Sequence, residues 1–336
     1  MKRSFSILVL LTLILFLTSC SNNQITSTPQ VIQAVTVTFT PYPTKIASPT
    51  LEATLPVFNT VPGQLTPCQD VYGTYYSYIP NNITSDSNIL VVVHGTPLDG
   101  TPEQNAVFYA ASWQDFAEAN DLVLIVPAFD QEHFSSRYGD IAMGGYRGLF
   151  GREISADAWV NKLVEDHRQA LGLNHQPFYL YGHSAGGQFV ARYVVMHPDE
   201  IQRAVITSAA TYPQPDPAIQ WPFGMGELHS ELTWEDGATQ QVNVAPNQET
   251  WLEAVQVPLT VIVGLDDTYQ IPVDLLPGQK GTDRITIGRN WVTDMNAFAE
   301  ANGVESQITL ELFPGVGHSM SKLISFSQNA LLAGSE

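Results

Sequence analysis

A serine set among glycines, Gly182-His183-Ser184-Ala185-Gly186-Gly187, follows the short apolar run Phe178 to Tyr181 and leads into a helical pattern. This order of strand, tight turn and helix constrains the chain more than any other feature, because it puts Ser184 at the carboxyl end of a buried strand. The flanking glycines suit a turn so tight that the backbone passes close to itself, with the serine strained and its Oγ exposed above a sheet. Gly-x-Ser-x-Gly alone discriminates poorly in a chain with 24 glycines. Its weight comes from two later motifs that stand in order along the chain: Val261-Ile262-Val263-Gly264-Leu265-Asp266-Asp267, then Gly315-Val316-Gly317-His318.

Apolar runs of strand length recur at Ile89 to Val93, Leu122 to Val126, Phe178 to Tyr181, Ala204 to Thr207, Leu259 to Val263 and Ile308 to Leu312. Such runs read as buried parallel strands. Helical patterns at 104–119, 156–171, 186–197, 291–301 and 321–333 separate them, which predicts an α/β fold with a mostly parallel central sheet and helices on both faces. Tyr72 to Ile79 reads as an earlier strand of an antiparallel edge hairpin with no assignable partner, its tyrosines 72, 76 and 78 forming a packed face. Two long segments, 127–152 and 211–256, interrupt the plan as irregular insertions. Both emerge beyond the carboxyl ends of strands, where open parallel sheets bind ligands, and so are expected to wall a substrate site.

An alcohol is a poor nucleophile at neutral pH, so Ser184 needs a base, and His318, in a glycine-rich loop after a strand, is the best candidate among eight histidines. His183 is adjacent to the serine, but its side chain must point away from that of Ser184 and is read as packing. A carboxylate must orient the imidazole, and Asp266 and Asp267 compete for that place. The negative oxygen formed on attack needs two backbone N–H groups. One is that of Ala185. The loop His94-Gly95-Thr96-Pro97 supplies the other, and because proline has no N–H, Thr96 is the expected donor. Trp221 and Phe223 are candidate substrate-binding residues by their position in the second insertion, with simple packing as the equal alternative. The remaining histidines show no metal-ligand spacing, so neither metal nor cofactor is expected.

The N-terminus suggests a compartment. Lys2 and Arg3 precede an apolar run, Ile7 to Leu17, shorter than an ordinary membrane span, which reads as a signal peptide over 1–19. Residues 21–67 hold ten threonines and seven prolines but only Lys45 and Glu52 as charged groups. Residues 20–67 therefore read as a tether with a span of about 40 Å, and 68–336 as the catalytic body. That body carries all but one of the 33 acidic residues, in a chain of net charge −19. Such a surface disfavours nucleic acid and anionic lipid. Cys68 reads as incidental.

Taken together, Val93-His94-Gly95, Gly182 to Gly187, Gly264 to Thr268 and Gly317-His318 resemble the α/β-hydrolase superfamily, most nearly the secreted serine esterases grouped with polyhydroxybutyrate depolymerases and feruloyl esterases. The resemblance covers about 70–333. It implies an α/β-hydrolase fold and a catalytic triad in the order Ser184, acid, His318. The related pattern Gly-x-x-Asp-Thr matches Gly264-Leu265-Asp266-Asp267-Thr268 and favours Asp267 as the acid. Leu17-Thr18-Ser19-Cys20 resembles a bacterial lipobox, which implies lipidation of Cys20 and an extracytoplasmic, membrane-anchored body. The expectation is a cofactor-free hydrolase of small or polymeric carboxylic esters. A peptidase of the same fold and a non-catalytic ligand-binding lipoprotein are the alternatives, and the oligomeric state stays open.

Overall fold

The computed structural model describes residues 57–97, 99–138, 144–272, 275 and 277–333. The signal segment, Cys20 and most of the Thr/Pro-rich stretch lie outside the described residues. The strands are β1 (Leu65–Gln69), β2 (Thr74–Tyr78), β3 (Ile89–Val93), β4 (Val123–Pro127), β5 (Ser136–Tyr138), β6 (Phe178–His183), β7 (Ile201–Thr207), β8 (Leu228–Trp234), β9 (Thr239–Val244), β10 (Leu259–Gly264) and β11 (Ile308–Phe313). The helices are α1 (Pro102–Ala119), α2 (Gln131–Phe134), α3 (Ala156–Leu171), α4 (Ala185–Met196), α5 (Gln248–Ala254), α6 (Arg284–Ala301) and α7 (Met320–Leu332).

Eight strands form one sheet in the order β1-β2-β4-β3-β6-β7-β10-β11. The six apolar runs of the sequence are its parallel part, β4 through β11, and β1 and β2 add an antiparallel edge. Alternate side chains of each strand face opposite sides. Val91, Val93 and Ile125 therefore pack with Trp159 and Leu163 of α3 and Phe189 of α4. Leu90, Val92 and Leu124 pack with Ala110 and Trp113 of α1 and Leu323 of α7 on the other face. Full burial contributes roughly 1.5–3 kcal/mol for each such Val, Leu or Phe, which is why runs apolar at every position specify central strands.

Three expectations need correction. The expected tether ends at 67, yet β1 pairs antiparallel with β2 from Leu65 opposite Tyr78 to Gln69 opposite Thr74. Asn59 Nδ2 also donates to Gln64 O and Ser77 O, both at 3.0 Å, and the Tyr75 hydroxyl donates to Val57 O. Residues 57–67 thus belong to the folded body and supply the hairpin partner of the Tyr72 to Ile79 strand. The segment 211–256 is not irregular throughout: β8 and β9 form a hairpin that joins β5 in a second, three-stranded antiparallel sheet, and α5 comes next. Helix α6 begins seven residues before the expected 291, where the Asp283 side chain accepts the Thr286 N–H and Thr286 Oγ1 accepts the Asp283 N–H in a capping box.

Candidate active site

Ser184 sits between β6 and α4 with φ +56° and ψ −114°, a conformation that costs a non-glycine residue on the order of 1–3 kcal/mol. Its neighbours hold it there. The Ser184 N–H donates to Thr207 O at 2.8 Å, locking the turn to the end of β7. A Cβ on Gly182 would lie 2.2 Å from Gly186 O, and one on Gly186 would lie 2.1 Å from Val93 O. Any side chain at either position would push the elbow off the sheet, which is the steric reason for both glycines.

His318 reaches the serine from the loop between β11 and α7. Its Nε2 lies 3.1 Å from Ser184 Oγ, and its Nδ1 lies 2.8 Å from Asp267 Oδ2. With the carboxylate accepting from Nδ1–H, the Nε2 lone pair faces the serine hydroxyl. Asp267 is 2% exposed on the loop after β10, and its other oxygen, Oδ1, accepts from Arg284 Nη1 at 3.2 Å. Burial works against the charge of Asp267. The hydrogen bond from His318, the electrostatic attraction of that ring and the positive charge of Arg284 outweigh it and hold the carboxyl below the usual carboxylate range. Asp266 is exposed and turns away, its N–H donating to Val316 O at 2.9 Å. Of the two competing aspartates, then, Asp267 is the one brought to His318.

His183 does more than fill space. Its ring lies 4.8 Å from that of His318, and its Nδ1 is 2.8 Å from Thr207 Oγ1. Burial first, and then the nearby His318 and Arg284, push its pKa down to about 3, so a neutral ring backs His318. The adjacency of His183 to Ser184 signalled its proximity but not its contact. Arg284 had no sequence signal at all, because it comes from the first turn of α6, far along the chain.

The loop after β3 also runs beside Ser184. A Cβ on Gly95 would lie 3.3 Å from Ser184 Cβ, so this loop lies against the elbow. Gly95 O accepts from Asn105 Nδ2 and from His94 Nδ1, each at 2.7 Å, and His94 Nε2 accepts the Phe129 N–H at 3.1 Å. Thr96 is exposed, and its hydroxyl accepts from Arg147 Nη2 at 2.6 Å. Ala185 is the first residue of α4, so its N–H has no intrahelical acceptor. A cleft of about 170 Å³ opens beside Thr96, lined by His94, Phe129, Tyr146 and Arg147 among others.

Trp221 and Phe223 are not brought to this centre. Trp221 is 1% exposed, and its indole N–H donates to Gly148 O at 3.1 Å. Phe223 is 3% exposed, with the Arg192 guanidinium 5.9 Å from its ring centroid. Arg192 is itself fully buried and donates to Pro222 O, Gln188 O and Thr211 Oγ1, tying this insertion to α4. Trp221 borders a separate cavity of about 410 Å³ whose lining includes none of Ser184, Thr96 or His318. The expectation of two pocket residues gives way to the packing alternative: both rings hold the insertion onto the body.

Cys68 is fully buried on β1, where burial pushes its thiol up to about 11, and it has no part in the site. Among the described residues no group of three His, Cys, Asp or Glu side chains is arranged to hold a metal ion.

Residues 154–244 match a family described as serine aminopeptidase S33. That span includes Ser184 but neither Asp267 nor His318. No curated protein matches the chain. Among solved structures, poly(aspartic acid) hydrolase-1 from Sphingomonas sp. KT-1 is similar with a TM-score of 0.62 and 23% identity, over 80% of this chain and 98% of that one. The poly(3-hydroxybutyrate) depolymerase LpqC from Bordetella parapertussis is similar with a TM-score of 0.60 and 22% identity, over 81% of this chain and 89% of that one. These likenesses, with the sheet order and a serine at the turn between β6 and α4, establish that the chain has the α/β-hydrolase fold.

Proposed function

We propose that this protein is a serine hydrolase that cleaves carboxylic esters through an acyl-enzyme. The observation that carries this reading is the relay from Ser184 Oγ to His318 Nε2 at 3.1 Å and from His318 Nδ1 to Asp267 Oδ2 at 2.8 Å, with the serine held at φ +56°. In the proposed mechanism Ser184 Oγ attacks the acyl carbon as its proton passes to His318 Nε2. The N–H groups of Thr96 and Ala185 take the charge that develops on the acyl oxygen. His318 then gives the proton to the departing alcohol. Water, with His318 as base, attacks the acyl-enzyme, and the carboxylic acid leaves as Ser184 regains its proton. Asp267 stabilises the imidazolium in both steps, and the hydrogen bond from His318 together with the charge of Arg284 keeps that buried carboxylate ionised. No cofactor enters the scheme.

The substrate in this reading is a small or polymeric ester, a class supported by the depolymerase among the similar structures. Peptide or amide hydrolysis is the second reading, supported by the serine aminopeptidase description of the family matching 154–244. Paired ester and amide substrates with one acyl group and one chromophore separate the two, and turnover of the amide alone would select the second.

The proposal extends to location. Lys2, Arg3, the apolar run to Leu17 and the sequence Leu17-Thr18-Ser19-Cys20 support cleavage before Cys20 and lipid attachment there, with the body held outside the cytoplasm. More than one acyl chain on Cys20 would make the anchoring stable. Mass spectrometry of the expressed protein tests this: a diacylglyceryl mass on an N-terminal peptide that starts at Cys20, absent in Cys20→Ser, is the expected result, and an unmodified Cys20 would refute it.

A further inference from the structure

Two side chains from different elements hold the carbonyl of Gly95: His94 through Nδ1 and Asn105, in the first turn of α1, through Nδ2. A carbonyl only accepts, so Asn105 presents its NH2 and His94 carries its proton on Nδ1. The other nitrogen of His94 agrees, because Nε2 accepts the Phe129 N–H. Burial pushes the pKa of His94 down to about 4, so the ring keeps this neutral form at neutral pH.

The Gly95–Thr96 peptide is trans, since the single cis bond among the described residues is Trp221–Pro222. In a planar trans peptide the C=O and the following N–H point in opposite directions. Fixing Gly95 O therefore fixes the direction of the Thr96 N–H, and turning that peptide would require breaking two hydrogen bonds. The first turn of α1 is itself well anchored. Thr101 caps it, Gln104 closes a capping box with Thr101, Pro102 opens the helix, and the Asn105 N–H donates to Thr101 O at 3.0 Å.

We infer that Asn105 is a positioning residue of the oxyanion pocket, orienting the Thr96 N–H through the carbonyl of Gly95. The inference rests on the serine-hydrolase reading above. Asn105 touches neither the substrate nor the reacting atoms. Its effect appears where charge develops on the acyl oxygen, because donors already oriented need no reorganisation at that moment. An ester in the ground state gains little from the same N–H, so loosening the clamp lowers kcat and leaves KM nearly unchanged. His94 shares the clamp but is fully buried, so its removal would also open the core. Asn105 is half-buried and gives the cleaner test.

Asn105→Leu and Asn105→Asp in the full chain, assayed on a p-nitrophenyl ester and on its matched thionoester, provide that test. Thiocarbonyl sulfur accepts hydrogen bonds weakly, so hydrolysis of the thionoester depends little on the oxyanion donors. The expected result for Asn105→Leu is a kcat on the ester lower by about 10- to 100-fold with KM within about threefold, less than or similar to deleting an oxyanion donor outright. The ratio of ester to thionoester rates should shrink by a comparable factor. The melting temperature and the fraction of serine titrated by a fluorophosphonate should stay the same, and Asn105→Asp, which turns a carboxylate toward the carbonyl, should lose at least as much. An unchanged rate ratio, whether both substrates slow alike or neither slows, would overturn the clamp and leave the Ser184 reading standing. Absence of any Ser184-dependent turnover in the unmodified chain would overturn both.

Discussion

Asp267 and Asp266 are adjacent in sequence, yet one is buried between His318 and Arg284 and the other faces solvent. That contrast makes a sharp prediction. Asp267→Asn should lower kcat by about 10⁴-fold, because an amide can favour the wrong imidazole tautomer and cannot stabilise the imidazolium. Asp266→Asn should stay within about threefold, and steady-state kinetics of the pair checks both. A second prediction concerns acid. His94 and His183 have folded pKa values of about 4 and about 3, lowered by burial, against about 6.5 for an unfolded chain. Below 6.5 the unfolded state binds protons that the folded state refuses, so the stability these residues leave intact at pH 7 is lost as the pH falls toward 4 and 3. At pH 5 each costs about 2 kcal/mol. Asp267 has the depressed carboxyl, and its contribution is lost only lower, as the pH falls from about 4 through its folded value. Urea melts at pH 7 and pH 5 should therefore differ by several kcal/mol, and equal midpoints would contradict buried neutral imidazoles. At this scale the serine, acid and histidine were legible because their motifs fall in order along the chain. Arg284 and Asn105 were not, because nothing local marks a helix residue that reaches a distant loop.

The parallel strands β3, β4, β6 and β10 and the Ala204–Thr207 part of β7 were legible because they are buried throughout, whereas β11, at the sheet edge, was legible from Ile308, Leu310 and Leu312 although Thr309 and Glu311 between them are exposed. The hairpin of β8 and β9 was missed although it carries its own signals. Leu228, Leu232 and Trp234 are buried while His229, Glu231 and Thr233 between them are exposed, and Asp236-Gly237 supplies a turn, with Gly237 at φ +83°. The polar residues of β8, His229, Ser230, Glu231 and Thr233, outnumber its apolar ones, so no apolar run marks the strand. The early turns of α6 were hidden for another reason: Ile285, Thr286, Ile287 and Gly288 are weak helix formers, and the Asp283 capping box with packing of Ile287 and Trp291 overrides their preference. Trp221 ties the second insertion to the segment around Gly148. Trp221→Ala should cost about 3–5 kcal/mol of stability, as removal of a large buried ring does, and leave the relative rates on esters of different acyl length unchanged. Thermal melts beside an acyl-length series check this; a changed preference at unchanged stability would return Trp221 to the pocket.

Across the whole molecule, the lower boundary of the body is the part composition misplaced. Threonine and proline continue to Pro67, so the compositional bias runs on into a strand, and only the register of β1 against β2 reveals it. A chain beginning at residue 57 should match the full chain in thermal stability, whereas one beginning at 70 loses β1 and leaves β2 as an unpaired edge. The shorter form should melt several degrees lower and aggregate more readily, measured by calorimetry and light scattering. Equal stability of the two would contradict the role given to β1. Net charge −19 leaves attraction to an anionic lipid surface no part in the proposed membrane attachment, which rests on Cys20. In the proposed function Ser184 is a nucleophile for carboxylic esters. Hydrolysis of p-nitrophenyl esters of graded acyl length by the wild-type protein beside Ser184→Ala tests that role: turnover should fall by at least about 10⁴-fold in the mutant, whereas equal rates in the two proteins, or no turnover of any ester by folded wild type, would rule it out.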